Sequence, residues 1–132
     1  MKLSLATVYA LHALTYLARH EGDRPVASHL IARAEGIPEK FILKILRLLG
    51  DAGMVTSRKG PNGGCRLAKK PKDISMLEIT EAVDGPLKEA NPFKGKGAGG
   101  LDSRLQAVCD QAAGAVRRQY QKVRLADLAG KG

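Results

Sequence analysis

Tryptophan is absent from this chain of 132 residues, which holds only three tyrosines and two phenylalanines. Platforms for unpaired bases need aromatic rings, so the composition counts against single-strand binding and leaves duplex nucleic acid as the better polyanionic target. Cysteine is equally sparse. Cys65 and Cys109 lie far apart and form no CxxC or CxxH spacing, which excludes a disulfide framework and a recognisable zinc site. No run approaches the ~20 apolar residues that span a bilayer, and no basic stretch followed by an apolar signal core opens the chain. The expectation is a cytoplasmic protein with no membrane partner. Acidic residues number 13 against 22 lysines and arginines, a formal charge of +9, and that imbalance favours a polyanion.

Signatures of catalysis are missing as well. Two glycine-rich segments, GPNGG and GKGAGG, lack the GxxxxGK pattern followed by Ser or Thr, and neither a GxSxG elbow nor an HExxH pair occurs. His12, His20 and His29 are scattered over separate helices or helix ends without ligand spacing, and read as structural. The protein is not expected to be an enzyme or to carry a metal.

What the chain does contain is a 44% hydrophobic content, enough for one compact domain and an accessory element. Ser4 caps a first helix reaching about His20, with Ala10, Leu11, Leu14, Leu17 and Ala18 on one face. Leu5, Val8, Tyr9 and Tyr16 spread the apolar surface further, which predicts burial against both the core and a second subunit. A second helix over Ala27 to Glu35 turns Leu30, Ile31 and Ala34 inward and stops at Gly36. Pro38 starts a third helix running to Ala52 and closed by Gly53. Two helices joined by so tight a turn make a helix-turn-helix. On the third, Phe41, Ile45, Leu48, Leu49 and Ala52 form the expected inward stripe, while Lys40, Leu43, Lys44 and Arg47 share another face.

From Met54 to Lys72 the sequence MVTSRKGPNGGCRLAKKPK carries six basic residues and no acidic one. It reads as a short β-hairpin, too small to be stable unless anchored to the helices, and charged like a wing that lies against phosphates. Ser75 and Glu78 form a capping box, with a staple between Ile74 and Ile79, for a fourth helix ending by Asp84. Residues 85–100, rich in Gly, Pro and Lys, read as a linker. Beyond it Leu105, Val108, Ala112 and Ala115 repeat at helical spacing, continued by Val116, Tyr120 and Val123. So long an amphipathic helix has no partner left within the chain, which predicts burial against a second copy.

These segments carry a resemblance. In Lys2-Leu3-Ser4 with Tyr9-Ala10-Leu11, IPEKFILKIL from Ile37 to Leu46, GPNGGCRLA from Gly60 to Ala68, and ISMLEITEAVDG from Ile74 to Gly85, the chain resembles the Rrf-two family of bacterial winged-helix regulators, which includes IscR, NsrR and CymR. The resemblance spans nearly the whole sequence. It implies a homodimer in which the helix after the linker crosses its mate and two winged domains sit on a pseudo-palindromic operator. Some members hold an iron-sulfur cluster through three cysteines in the segment equivalent to Gly85 to Arg104. That segment here is GPLKEANPFKGKGAGGLDSR, without cysteine, and the last family cysteine falls near Arg104. Cys65 occupies a wing position where the family more often has Tyr. A cluster generally needs four protein ligands, so a cluster-free member without a cofactor is expected.

The resulting expectation is a mainly α protein. It comprises a winged helix-turn-helix over 1–84 with a small β-hairpin wing, a linker over 85–100, and a long C-terminal dimerisation helix and tail over 101–132. Double-stranded DNA is to be contacted by Lys2, Ser28, Lys40, Leu43, Lys44, Arg47, Arg58, Lys59, Gly60, Asn62 and Gly63. Lys40 is nearest a guanine edge and Arg47 nearest a phosphate. Some roles stay open: Ser4 as helix cap or phosphate donor, Asn62 as turn residue or wing-tip contact, Leu43 as thymine-methyl contact or cover for the core. The dimer interface is expected at Leu101, Leu105, Val108, Ala112, Ala115, Val116 and Tyr120. Cys109 reads as a small buried hydrophobe, with a thiol sensor as the alternative. The leading function is a sequence-specific dimeric transcriptional regulator, a repressor by promoter occupancy. Its competitors are a nonspecific duplex-packaging protein and a thiol or small-molecule sensor acting through the linker and Cys109.

Overall fold

Helix α1 (Leu5–Arg19) begins where the Ser4 hydroxyl accepts the Thr7 amide at 3.1 Å, an N-cap that satisfies one orphan donor of the first turn. The computed structural model that shows it describes residues 3–20, 22, 24–87 and 100–130. One side of α1, with Thr7, Ala10, Ala13, Leu14 and Leu17, is buried, whereas Leu5 at the opposite side is 62% exposed. Helices α2 (Ser28–Glu35) and α3 (Glu39–Asp51) follow. Gly36 joins them at φ 67° and ψ 31°, a left-handed conformation that costs a side-chain-bearing residue energy and glycine none.

The buried side of α3 is Ile42, Ile45, Leu46 and Leu49, which corrects the stripe expected from spacing. Phe41 and Ala52 face outward, and Phe41 lies against Tyr9 with ring centroids 6.1 Å apart. On α2, Ile31 and Ala32 turn inward while Leu30 and Ala34 do not. Apolar residues cover more than half the circumference of FILKILRLL, so two overlapping stripes fit the helical period and only the packing of α1 and α4 against α3 selects one.

The wing is the antiparallel pair β1 (Val55–Arg58) and β2 (Gly64–Leu67), with Val55 opposite Leu67 and Arg58 opposite Gly64. A 3-10 turn, Pro71–Asp73, leads to α4 (Met76–Asp84), whose capping box is formed by Ser75 and Glu78. Ile74 and Ile79 flank that cap, both fully buried, as a hydrophobic staple requires. The last turn of α4 is a junction. Asp84 lies 2.8 Å from the Ser4 hydroxyl and accepts the Thr7 hydroxyl at 2.6 Å. Glu81 Oε2 accepts both Arg117 Nη1 at 2.9 Å and the Leu87 amide at 3.2 Å.

Arg117 belongs to α5 (Gly100–Lys122), a helix about 35 Å long at the standard rise. A short α6 (Leu125–Ala129) then folds back onto α1 and the 3-10 turn. The Leu125 amide donates to Ile74 O and the Met76 amide to Val123 O, each at 2.8 Å, and Leu125 is fully buried in the core cluster. Spacing alone left this element in a tail, because five residues with only Leu125 and Ala129 inward carry no readable period.

Candidate nucleic-acid interface

Three elements meet around one cleft: the start of α2, the outer face of α3, and the wing. β2 is tied to the segment before α2, with the Val26 amide donating to Cys65 O at 2.8 Å and the Cys65 amide to Val26 O at 2.7 Å. This approach is so close that a Cβ on Gly64 would lie 2.5 Å from the Val26 carbonyl group. Only glycine fits there, so the wing and the helix-turn-helix form one backbone-bonded unit. Cys65, 5% exposed, enters the core from β2 with its Sγ 3.6 Å from Ser57 Oγ.

The cleft has a volume of ≈ 520 Å³. Among the residues expected to touch DNA, Ser28, Leu43, Arg47, Arg58, Gly60 and Gly63 line it together. Lys40, Lys44 and Lys59 are exposed nearby without lining it, and Asn62 lines an adjoining hollow with Arg24, Leu30 and Arg58. Lys2 lies outside the described residues, as do 88–99 of the linker. Ser4 serves as the α1 cap and a partner of Asp84.

Electrostatics fits an anion. Among the described residues the ion pairs of Lys and Arg are Lys69–Glu78 and Arg117–Glu81, so Lys40, Lys44, Arg47, Arg58 and Lys59 pair with no described carboxylate. Lys40 Nζ stands 5.1 Å from the Phe41 ring centroid, a cation–π contact that steadies the long side chain. Ala27 caps α2 without a side-chain hydrogen bond, which leaves first-turn amides for an external acceptor such as a phosphate.

The structure separates the histidines. His12 pairs with Glu35 at 3.1 Å and His20 stacks on Tyr16 at 4.0 Å, both structural roles. His29 is instead exposed and lines the cleft beside Ser28. Glu39 is exposed in the first turn of α3, and Ser57 and Pro61 of the wing line the cleft. Leu43 is 65% exposed, so it does not cover the core.

On the far side, α5 presents Leu101 at 63%, Leu105 at 36% and Val108 at 60% exposure. Ala112 and Ala115 are exposed too, whereas Val116, Tyr120 and Cys109 are half-buried.

The model of the Rrf2 family, described as "Iron-dependent Transcriptional regulator", matches residues 3–131. Protein rrf2 of Nitratidesulfovibrio vulgaris is 33% identical over 133 residues, covering 97% of this chain and 87% of that protein. NsrR of Halalkalibacterium halodurans is 29% identical, with 97% and 90% covered. Among solved structures, IscR of T. potens matches with a TM-score of 0.77 at 27% identity over 97% of this chain and 85% of that one. CymR of B. subtilis shares the fold, with a TM-score of 0.82 at 24% identity over 98% and 96%.

The iron in the family's description finds no matching donor set among the described residues. The two cysteines of the chain are divided between the buried wing strand and α5, and the described residues contain no group of three His, Cys, Asp or Glu placed to hold a metal ion. Fold, sequence match and donor chemistry together assign this chain to the Rrf2 family of winged-helix transcriptional regulators, to which it belongs as a member without the cysteines of an iron-sulfur cluster.

Proposed function

We propose that the protein is a dimeric, sequence-specific repressor that places α3 in the major groove of duplex DNA and lays the wing along the flanking phosphates. The observation that carries this reading is the cleft between α2, α3 and the wing, rimmed by Arg47 and Arg58 and bonded into one unit through Val26 and Cys65. A preformed basic surface binds DNA without paying to order itself. The exposed apolar stripe of α5, Leu101, Leu105 and Val108, supports pairing with a second copy, with Ala112 and Ala115 allowing close approach. Two heads so joined would read half-sites about 34 Å apart on one face of the duplex, and a promoter so covered is closed to polymerase.

The test is a fluorescence-anisotropy titration against the DNA upstream of the protein's own gene and a scrambled duplex, at several salt concentrations. A preference of about a thousandfold or more is expected. Lys40→Ala should alter base preference, whereas Lys59→Ala should weaken all sequences alike and lower the salt slope by about one. Equal, steeply salt-dependent affinities for both duplexes would replace this reading with nonspecific packaging.

A further inference from the structure

We infer that Leu43 reads the C5-methyl group of a thymine, so that each operator half-site carries one thymine required at a fixed position. The inference rests on the DNA-binding reading above and deepens it. An exposed leucine is unremarkable by itself; its surroundings are not. Leu43 is 65% exposed although α3 already fills the core with Ile42, Ile45, Leu46 and Leu49. Lys40 stands three residues before it, Lys44 one after and Arg47 four after, all exposed. An apolar protein partner covering Leu43 would have to desolvate those cations, whereas a polyanion would pair with them. In the major groove the thymine methyl is the apolar group that a base pair presents.

The rest of α3 narrows the reading further. Its sequence EKFILKILRLLGD contains no Asn or Gln, the side chains that pair bidentately with adenine. Lysine and arginine serve guanine, and Glu39 can accept from a cytosine amine. An A·T pair under this helix is therefore distinguished through its methyl group. Leu43 also lines the cleft with Arg47 on its own helix and Ser57 and Arg58 across from it, which holds the methyl-reading position between phosphate-binding groups.

The experiment replaces each thymine of the preferred upstream duplex, one at a time, by deoxyuridine, which removes only the methyl. Wild-type affinity should fall about fourfold at one position per half-site, and about fifteenfold when both are replaced, as expected for one buried methyl each. Leu43→Ala should bind the thymine and uracil duplexes equally while keeping the wild-type melting temperature, since the side chain is outside the core. A flat scan on a strongly preferred duplex overturns the assignment of Leu43 and leaves the regulator standing. A scan with the same profile in Leu43→Ala gives the methyl to another residue. Absence of any sequence preference would overturn the inference together with the reading beneath it.

Discussion

Gly64→Ala asks whether the wing and the helix-turn-helix act as one unit. The residue sits at φ 148°, and a Cβ there would stand 2.5 Å from the carbonyl carbon and oxygen of Val26. Backbone cannot yield as a flexible side chain does, so the variant either keeps a strained residue, at about 1–3 kcal/mol, or opens the bridge between Val26 and Cys65. Opening gives up two hydrogen bonds of 2.8 and 2.7 Å, worth about 0.5–1.5 kcal/mol each net of solvation. The two routes compete rather than add, and either predicts a loss of about 2 kcal/mol, or some thirtyfold in a local opening equilibrium. Amide hydrogen exchange reads this directly, because Val26 and Cys65 each donate one of the bonds. Both amides should lose protection by about that factor while the amides of α1 keep theirs, and affinity for DNA should fall with them. Gly22→Ala is the control: it meets no atom within 4 Å and should change stability by less than about 0.5 kcal/mol. Wild-type protection at Val26 and Cys65 in Gly64→Ala, with unchanged stability, would refute the coupling.

Leu125→Ala should cost about 2–5 kcal/mol in urea unfolding at fixed protein concentration, because a fully buried leucine leaves a cavity. Leu128→Ala on the same helix, where the side chain is 39% exposed, should cost far less; equal losses would remove α6 from the core. Val108→Lys places a charge on a 60% exposed position of α5, and sedimentation equilibrium should show the proposed dimer weakened with the monomer's circular dichroism intact; an unshifted equilibrium would remove α5 as its interface. Asp84→Ala deprives the fully buried Thr7 of its 2.6 Å partner, a loss of about 1–3 kcal/mol measurable as a lower urea midpoint. No change there would mean that the hydroxyl finds another acceptor.

Strong local chemistry makes the architecture legible in the sequence. The cap at Ser4, the stop at Gly36, and the box of Ser75 with Glu78 each bind a backbone group to a particular residue type, and each stands where spacing placed it. Faces were harder. Where apolar residues encircle a helix, as in α3, the choice between Phe41 and Ile42 as the buried residue depends on neighbours distant in sequence. The cleft was legible through its charged and glycine residues, which advertise their chemistry. Its floor was not, since Cys65 enters by a bridge to Val26, thirty-nine positions away in a sequence that gives no sign of that pairing. α6 escaped for a similar reason, being held by backbone bonds to residues around Ile74 rather than by a period of its own.

Glu81 has a mechanical consequence. A single carboxylate oxygen holds the amide of Leu87, where the chain leaves α4, and the guanidinium of Arg117, on the helix by which it returns. Three residues further, Asp84 grips the start of α1. The exit of α4 and the seating of α5 therefore depend on one atom, and losing that carboxylate would release both together. Over the length of α5, about 35 Å, a tilt of about 5° would displace the far end by roughly 3 Å. That is close to the rise of one base pair, so in the proposed dimer a disturbance small enough to leave every helix intact would be large enough to put the two heads out of step with their DNA.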